Sequence, residues 1–439
     1  MSGVTVGLLA IAIMIALMFV RVPIGLCMFM TGAIGTAIYV GPTPILANLA
    51  GVVYDNFSRY SLSVIPIFLL MGSFASRAGL SSALYRAGQA FLGHRRGGLA
   101  MATIGACAGF GAICGSSVAT AATMAQVALP EMKRAGYHPR LTTGTLAAGG
   151  TLGILIPPSI VLVIYAILAE QNIAKLFVAA FIPGVIAAIG YCITIAITVR
   201  LNPKLSTEVE RATRAERRHA ILEVWPVLLI FVLVIGGMYI GWFTPTEGAS
   251  VGAVGTGLLA ITRGHMRLDG FLAAIYEAAV SSAMIFFIVT GAAVFSSFLA
   301  YTQLPQAVAQ WLAGSGMNAW VALTLILIIY LALGCVMDSL SMILLTIPIF
   351  FPAIMQLDFG LSPEETAIWF GIIALIVVEV GLITPPVGMN LFIINSMAKN
   401  VPMIETYRGV LPFILADVVR TALLVAFPPI TLFALWLLY

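Results

Sequence analysis

The chain has 439 residues, of which 61% are hydrophobic and 9% charged, with a formal net charge of +4; a soluble domain carries about 25% charged residues. Apolar runs of about 20 residues recur throughout, so the soluble class that the length would suggest is excluded and a polytopic all-α protein of the lipid bilayer remains. Five cysteines without C-x-x-C spacing, and histidines (His94, His138, His219, His265) that fall in basic loops, argue against disulfide or metal chemistry inside the membrane.

The N-terminus lacks a basic start and a clear cleavage site, and reads as span 1 (residues 4–20) rather than a removed signal. Arg21-Val22-Pro23 turns it into span 2 (24–40), and a polar connection over 41–61 leads to span 3 (64–76). Residues 80–92 read as an amphipathic helix at the interface. The next stretch, 99–130, is dense in small residues, basic at both flanks and too short for two spans. It reads as a re-entrant hairpin with its tip at Gly115-Ser116-Ser117.

Span 4 (141–168) contains Gly153-Ile154-Leu155-Ile156-Pro157-Pro158-Ser159-Ile160 and cannot be continuous helix. Pro157 and Pro158 have no amide hydrogen, so the carbonyls of Gly153 and Ile154 lose their helical partners, and each proline drives the preceding residue out of the helical region. Bare carbonyls at membrane depth are tolerated only where they are buried in protein or line a cavity. Span 5 covers 176–199, and the polar stretch 201–224, with Glu and Arg interleaved at helical spacing, reads as a solvated cytoplasmic connecting helix.

The order then repeats. Spans 6 (226–243), 7 (247–262) and 8 (277–300) precede an interfacial stretch (302–312) and a second hairpin over 320–351, with Asp338-Ser339 near its tip. Span 9 (366–396) carries Gly381-Leu382-Ile383-Thr384-Pro385-Pro386-Val387-Gly388, and span 10 covers 411–437. Ser116-Ser117 recurs 222 residues on as Asp338-Ser339; Gly153, Pro157 and Pro158 recur 228 residues on as Gly381, Pro385 and Pro386. The chain therefore reads as two repeats, 1–200 and 225–439, with about ten transmembrane helices plus two re-entrant hairpins. Five spans per half is odd, so the second repeat is inverted. With the N-terminus outside, all of the 21 Lys+Arg except Arg59, Lys175 and Arg420 fall in inside loops. The positive-inside rule then places both termini in the periplasm, and it accounts for the basic loops without nucleic acid.

The two breaks supply what a small hard cation needs: freed carbonyls at Gly153 or Gly381, others at the pre-proline positions Ile156 and Thr384, and hydroxyls from a facing tip. The helix that starts at Ser117 or Ser339 presents bare amides that attract an anion. Cation and anion sites side by side are the physical basis of a sodium-coupled carboxylate symporter, with the substrate between the tips at Gly115, Ser116, Ser117 and Ser339 and the prolines Pro157 and Pro385. Asp338 would cost about 2.5–3.5 kcal/mol at a bilayer centre; it reads as a cation ligand or as a helix N-cap. Glu379, two residues before the second break, reads as a cation or proton site or as a buried hydrogen-bond partner. Asp417 and Arg420, at i, i+3, read as a structural ion pair.

Several segments resemble the large membrane subunit of tripartite ATP-independent periplasmic (TRAP) transporters, the DctM/SiaM-like family. They are Ile65-Pro66-Ile67-Phe68-Leu69-Leu70-Met71-Gly72, Gly115-Ser116-Ser117 with Leu129-Pro130-Glu131-Met132, Gly136-Tyr137, the first break, Asp338 with Ile347-Pro348, and the second break continued through Met389-Asn390. The resemblance implies an elevator-type transporter of the bacterial inner membrane, not an enzyme. It needs no cofactor beyond Na+ as the coupling ion. It also implies a small four-span membrane subunit, here a separate polypeptide, and a periplasmic solute-binding protein. The family's sodium sites map onto Ser116, Ser117, Gly153, Ile156 and Pro158, and in the second half onto Asp338, Ser339, Gly381, Thr384 and Pro386. A stand-alone ion-coupled carboxylate transporter or antiporter without a binding protein is the alternative.

Overall fold

The structure, a computed structural model, describes residues 2–263 and 266–439, and all regular structure within them is helical. His265, one of the four loop histidines, lies outside the described residues.

The chain begins with α1 (Gly3–Phe19), capped by Ser2, and α2 (Ile24–Tyr39). The connection expected as polar over 41–61 is largely a helix, α3 (Pro42–Ser58). Pro42 supplies a fixed φ at its first turn, where a missing amide costs nothing, and Leu46, Tyr54 and Phe57 stay exposed along it. Next come α4 (Val64–Arg77), the arm α5 (Leu80–Leu92), and the first hairpin, α6 (Gly98–Cys114) and α7 (Ser117–Arg134). The first broken helix is α8 (Pro139–Leu155) and α9 (Ile160–Leu168), bent by 44° at the proline pair. It is followed by α10 (Ile173–Leu201).

The connecting helix differs from the expected 201–224. A short 3-10 turn (Pro203–Leu205) and extended chain come first, and α11 (Arg214–Phe231) starts only where Thr213 and Glu216 form a reciprocal capping box. The helix then runs through a π-helical turn (Val232–Gly236) into α12 (Gly237–Ile240). Connecting helix and sixth span are thus one 27-residue element. Helices α13 (Pro245–Thr262), α14 (Leu268–Thr302) and the second arm α15 (Leu304–Gly314) complete this part. The second hairpin is α16 (Ala319–Gly334) and α17 (Ser339–Ile354), and the second broken helix is α18 (Pro363–Gly381) and α19 (Met389–Met397). The last span is divided: α20 (Met403–Ala426) ends at Phe427 and α21 (Pro428–Leu438) begins with Pro428 and Pro429, a third proline pair that ends a helix.

The helices sort into two groups. An outer group pairs α2 with α14 and α4 with α13 and α14, with α1 and α3 alongside. An inner group packs α8 against α6, α7, α10 and α20, and α18 against α16, α17 and α10. The groups touch where α4 meets α6 and α9, and where α14 and α15 meet α17. Among the described residues five helices are long and apolar enough to cross a membrane by themselves, and the bent α8–α9 pair makes a sixth; shorter apolar helices include α1, α2 and α6. The inner group holds the hairpins and the breaks.

Candidate functional site: two hairpin tips on two helix breaks

At the first tip Gly115 takes φ +65°, a left-handed conformation open to glycine at no steric cost, and Ser116 caps α7, its Oγ accepting from the Ala119 amide at 3.4 Å. At the second tip Asp338 caps α17. One carboxylate oxygen accepts from the Ser341 amide at 3.2 Å and the other from the Ser341 hydroxyl at 2.5 Å. Both of its oxygens serve its own helix, so the geometry is that of the capping alternative.

The first break follows the covalent argument. Ile156 is extended (φ −95°, ψ 118°), as a residue before proline must be. Pro157 offers the Gly153 carbonyl no donor, and Pro158 offers none to Ile154. Ser159, which sequence reasoning passed over, caps α9 by accepting from the Leu162 amide at 3.4 Å. The second break is not a copy. The Gly381 carbonyl accepts from the Thr384 amide at 3.0 Å, so the carbonyl expected to be free has a donor and can offer a cation only its second lone pair. With two residues between them, Gly381 and Thr384 close a 3-10 turn before Pro385 removes the next donor. The Thr384 hydroxyl donates to the Val380 carbonyl at 2.6 Å. Residues 151–160 are all buried, whereas Pro386 and Val387 are exposed and the Pro386 carbonyl accepts from the Tyr407 hydroxyl at 2.7 Å.

Each tip rests on its own break. A Cβ on Gly115 would stand 3.1 Å from the Pro158 carbonyl oxygen. In the second half the Gly388 amide donates to the Cys335 carbonyl at 3.1 Å. Behind the tips, hairpin and broken helix meet backbone to backbone. A Cβ on Gly111 would stand 2.5 Å from the Cα of Gly153, and one on Gly381 would stand 2.6 Å from the Cα of Gly334. Nothing larger than glycine fits without parting the helices.

Glu379 joins the halves. This fully buried residue of α18 accepts from the Ser117 hydroxyl with one oxygen and from the Ser339 hydroxyl, at 2.6 Å, with the other. Of its alternatives in the sequence, the structure displays the hydrogen-bonded one. Around the first tip the structure gathers Gly115, Ser116, Ser117, Gly153 and Pro158, while Ile156 packs against Gly184 of α10; around the second it gathers Asp338, Ser339, Gly381 and Pro385. Thr384 and Pro386 lie toward the open edge. Thr120, unmarked in the sequence, and Asn390, marked there only as the end of the second motif, adjoin the first tip. Thr120 and Asn390 are fully buried, and Thr120 Oγ1 and both amide atoms of Asn390 have no hydrogen-bond partner among the described residues. Their signal was weak: a threonine and an asparagine inside apolar helices. Asp417 and Arg420 form the expected ion pair at 2.9 Å, and Tyr191 adds a hydrogen bond to Asp417 at 2.8 Å.

Among the described residues no three His, Cys, Asp or Glu side chains converge. The polar atoms at the tips are hydroxyl, carbonyl and amide oxygens and the Asp338 carboxylate, with the Glu379 carboxylate between them, which is the donor type that hard cations take.

Residues 11–430 match the family model described as "Tripartite ATP-independent periplasmic transporter, DctM component". The chain is 37% identical over 388 residues to the C4-dicarboxylate TRAP transporter large permease protein DctM of Pseudomonas aeruginosa, covering 88% of each chain. It is 30% identical to the sialic acid TRAP transporter large permease protein SiaM of Vibrio cholerae serotype O1, over 88% of this chain and 90% of that one. The crystal structure of the Alcanivorax borkumensis YdaH transporter shares the fold at a TM-score of 0.65 and 17% identity, over 87% of this chain and 88% of that one. With the family model spanning nearly the whole length and a relative this similar covered almost end to end, the chain belongs to the DctM family: it is a large permease subunit of a TRAP transporter, a multi-pass membrane protein and not an enzyme.

Proposed function

We propose that this permease imports a small organic anion, a carboxylate, across the bacterial inner membrane, driven by sodium and using an elevator movement of the inner helix group. The cations would sit at the tips and breaks, at Ser116, Ser117, Gly153, Ile156 and Pro158 in the first half and at Asp338, Ser339, Gly381, Thr384 and Pro386 in the second. The anion would lie between the tips, at Gly115, Ser116, Ser117, Ser339, Pro157 and Pro385. A small four-span subunit and a periplasmic binding protein would complete the system, with two inverted repeats and both termini in the periplasm. The observation that carries this reading is the convergence of both hairpin tips, each lying on a proline-broken helix, through Ser117 and Ser339. The relatives named for C4-dicarboxylate and sialic acid support the anionic class of substrate.

The test is uptake into proteoliposomes holding this chain, the small subunit and candidate binding proteins. Uptake should collapse when the sodium gradient is dissipated. Uptake that continues unchanged would overturn the coupling, and uptake that needs no binding protein would favour a stand-alone carrier.

A further inference from the structure

We infer that Glu379 is a positioning residue and the shared counter-charge for cations bound at both hairpin tips. The inference rests on the sodium-coupled reading above and assigns to it a residue outside the tip and break motifs.

The argument starts from the hydroxyl. A serine has one proton to donate and two lone pairs to offer. Ser117 and Ser339 both give that proton to Glu379, one to each carboxylate oxygen. Each hydroxyl oxygen is thereby fixed as an acceptor toward any third group, which suits a cation; an anion between the tips would meet the backbone amides at the starts of α7 and α17 instead. The carboxylate itself is fully buried, and a buried charge with only neutral donors is costly unless a positive charge stands near. Arg420 is already paired with Asp417 at 2.9 Å. Asp338, the other acid at the tips, caps its own helix and is an anion like Glu379, so it offers Glu379 no ion-pair partner. Ionised, Glu379 is a negative charge without an ion-pair partner among the described residues, held between two oriented oxygens.

A second observation points the same way. Thr120 Oγ1 and the Asn390 side-chain amide are buried without partners. Both lie at the first tip: a Cβ on Gly150 would stand 3.2 Å from Asn390 Nδ2 and 3.2 Å from the Ser117 carbonyl oxygen, and one on Gly153 would abut Thr120 Oγ1 and the Ser116 carbonyl oxygen. Thr120 Oγ1, Asn390 Oδ1 and the two tip carbonyls supply further oxygens beside Ser117. Because one carboxylate orients both serines, a cation at either tip offsets part of the negative charge that the other tip sees. The two halves are then coupled in cation binding.

The test compares wild type, Glu379→Gln, Glu379→Asp and Ser339→Ala in the complete reconstituted transporter. Uptake is followed against sodium concentration, and the sodium-induced rise in melting temperature is followed in detergent. Glutamine keeps the volume but removes the charge and forces one serine to accept instead of donate. The sodium concentration for half-maximal uptake should rise at least about tenfold, the scale expected for losing one counter-charge at a low-dielectric site. The sodium-induced melting shift should shrink, and aspartate should restore part of both. Unchanged sodium half-saturation in Glu379→Gln, with only the maximal rate or the abundance lowered, would reduce Glu379 to a structural hydrogen bond and overturn the inference. If Glu379→Gln does not fold, Glu379→Asp and Ser339→Ala carry the same comparison, and unchanged half-saturation in both overturns it equally. A wild type that ignores sodium would instead overturn the coupled reading itself.

Discussion

Replacing Gly111 with alanine would place a methyl group 2.5 Å from the Cα of Gly153 and 2.9 Å from its amide nitrogen. Ordinary contact begins at 3.4 Å, so α6 and α8 would have to part by roughly 1 Å, and overpacking of this kind costs about 1–3 kcal/mol. The obstacle is backbone, which cannot swing aside, so the upper part of that range applies. Alanine is preferred over glycine in a helix by about 1 kcal/mol. That preference offsets part of the clash, and the net effect is a loss of about 1–2 kcal/mol. Gly105 provides the control on the same helix: nothing lies within 4 Å of its Cβ position, so Gly105→Ala should be neutral or stabilising by up to about 1 kcal/mol. Melting of the two variants and wild type in the same detergent measures the difference, and uptake follows it, because a 1 Å displacement sits directly behind the tip. Gly111→Ala melting at or above wild type would refute the backbone contact.

The remaining expectations concern other parts of the chain. Arg420→Met leaves Asp417 as an unpaired buried acid and should cost about 3–5 kcal/mol; adding Asp417→Leu should recover much of the loss, and failure to recover would show that the pair is not the reason. Tyr191→Phe removes one hydrogen bond to the same carboxylate and should lower stability by about 1.5–3 kcal/mol, measured by the same melting assay. Arg77→Ala breaks a pair with Glu277 at 2.6 Å whose acid is largely solvated, so stability should change by less than about 1 kcal/mol. Val387→Cys, at the exposed second break, should react with a hydrophilic maleimide in purified protein, whereas Ile160→Cys at the buried first break should not; equal labelling of the two would contradict the difference between the breaks.

What could be read from the sequence was local backbone chemistry. Pro157 and Pro158 remove amide hydrogens wherever they stand, and Gly115 before two serines marks a turn and a cap whatever surrounds it. Arm α5 showed in its periodicity and was placed at its observed bounds. Composition failed where a polar stretch still had helical continuity: α3 hid in an apparent connection, and α11 ran on through Pro226 into the next span. The divided last span was missed although Pro428 and Pro429 mark it, because the apolar residues continue on both sides. The Gly381 carbonyl was misjudged because a three-residue turn can supply a donor that the prolines withhold. Glu379 could be seen as an odd charge, but its partners lie 262 and 40 residues away, and only the tertiary arrangement names them.

The paired glycines behind the tips have a further consequence. Gly111 against Gly153, and Gly334 against Gly381, are joints without side chains, so they have no rotamers to exchange and no side-chain entropy to lose on forming. A joint of that kind is a weld and not a bearing. Sliding one helix along the other by a single residue would bring Ala112 against Gly153, or Leu382 against Gly334, and jam the interface. Each hairpin is therefore locked in register with its broken helix. Any displacement of one must take the other with it as one stiff lever.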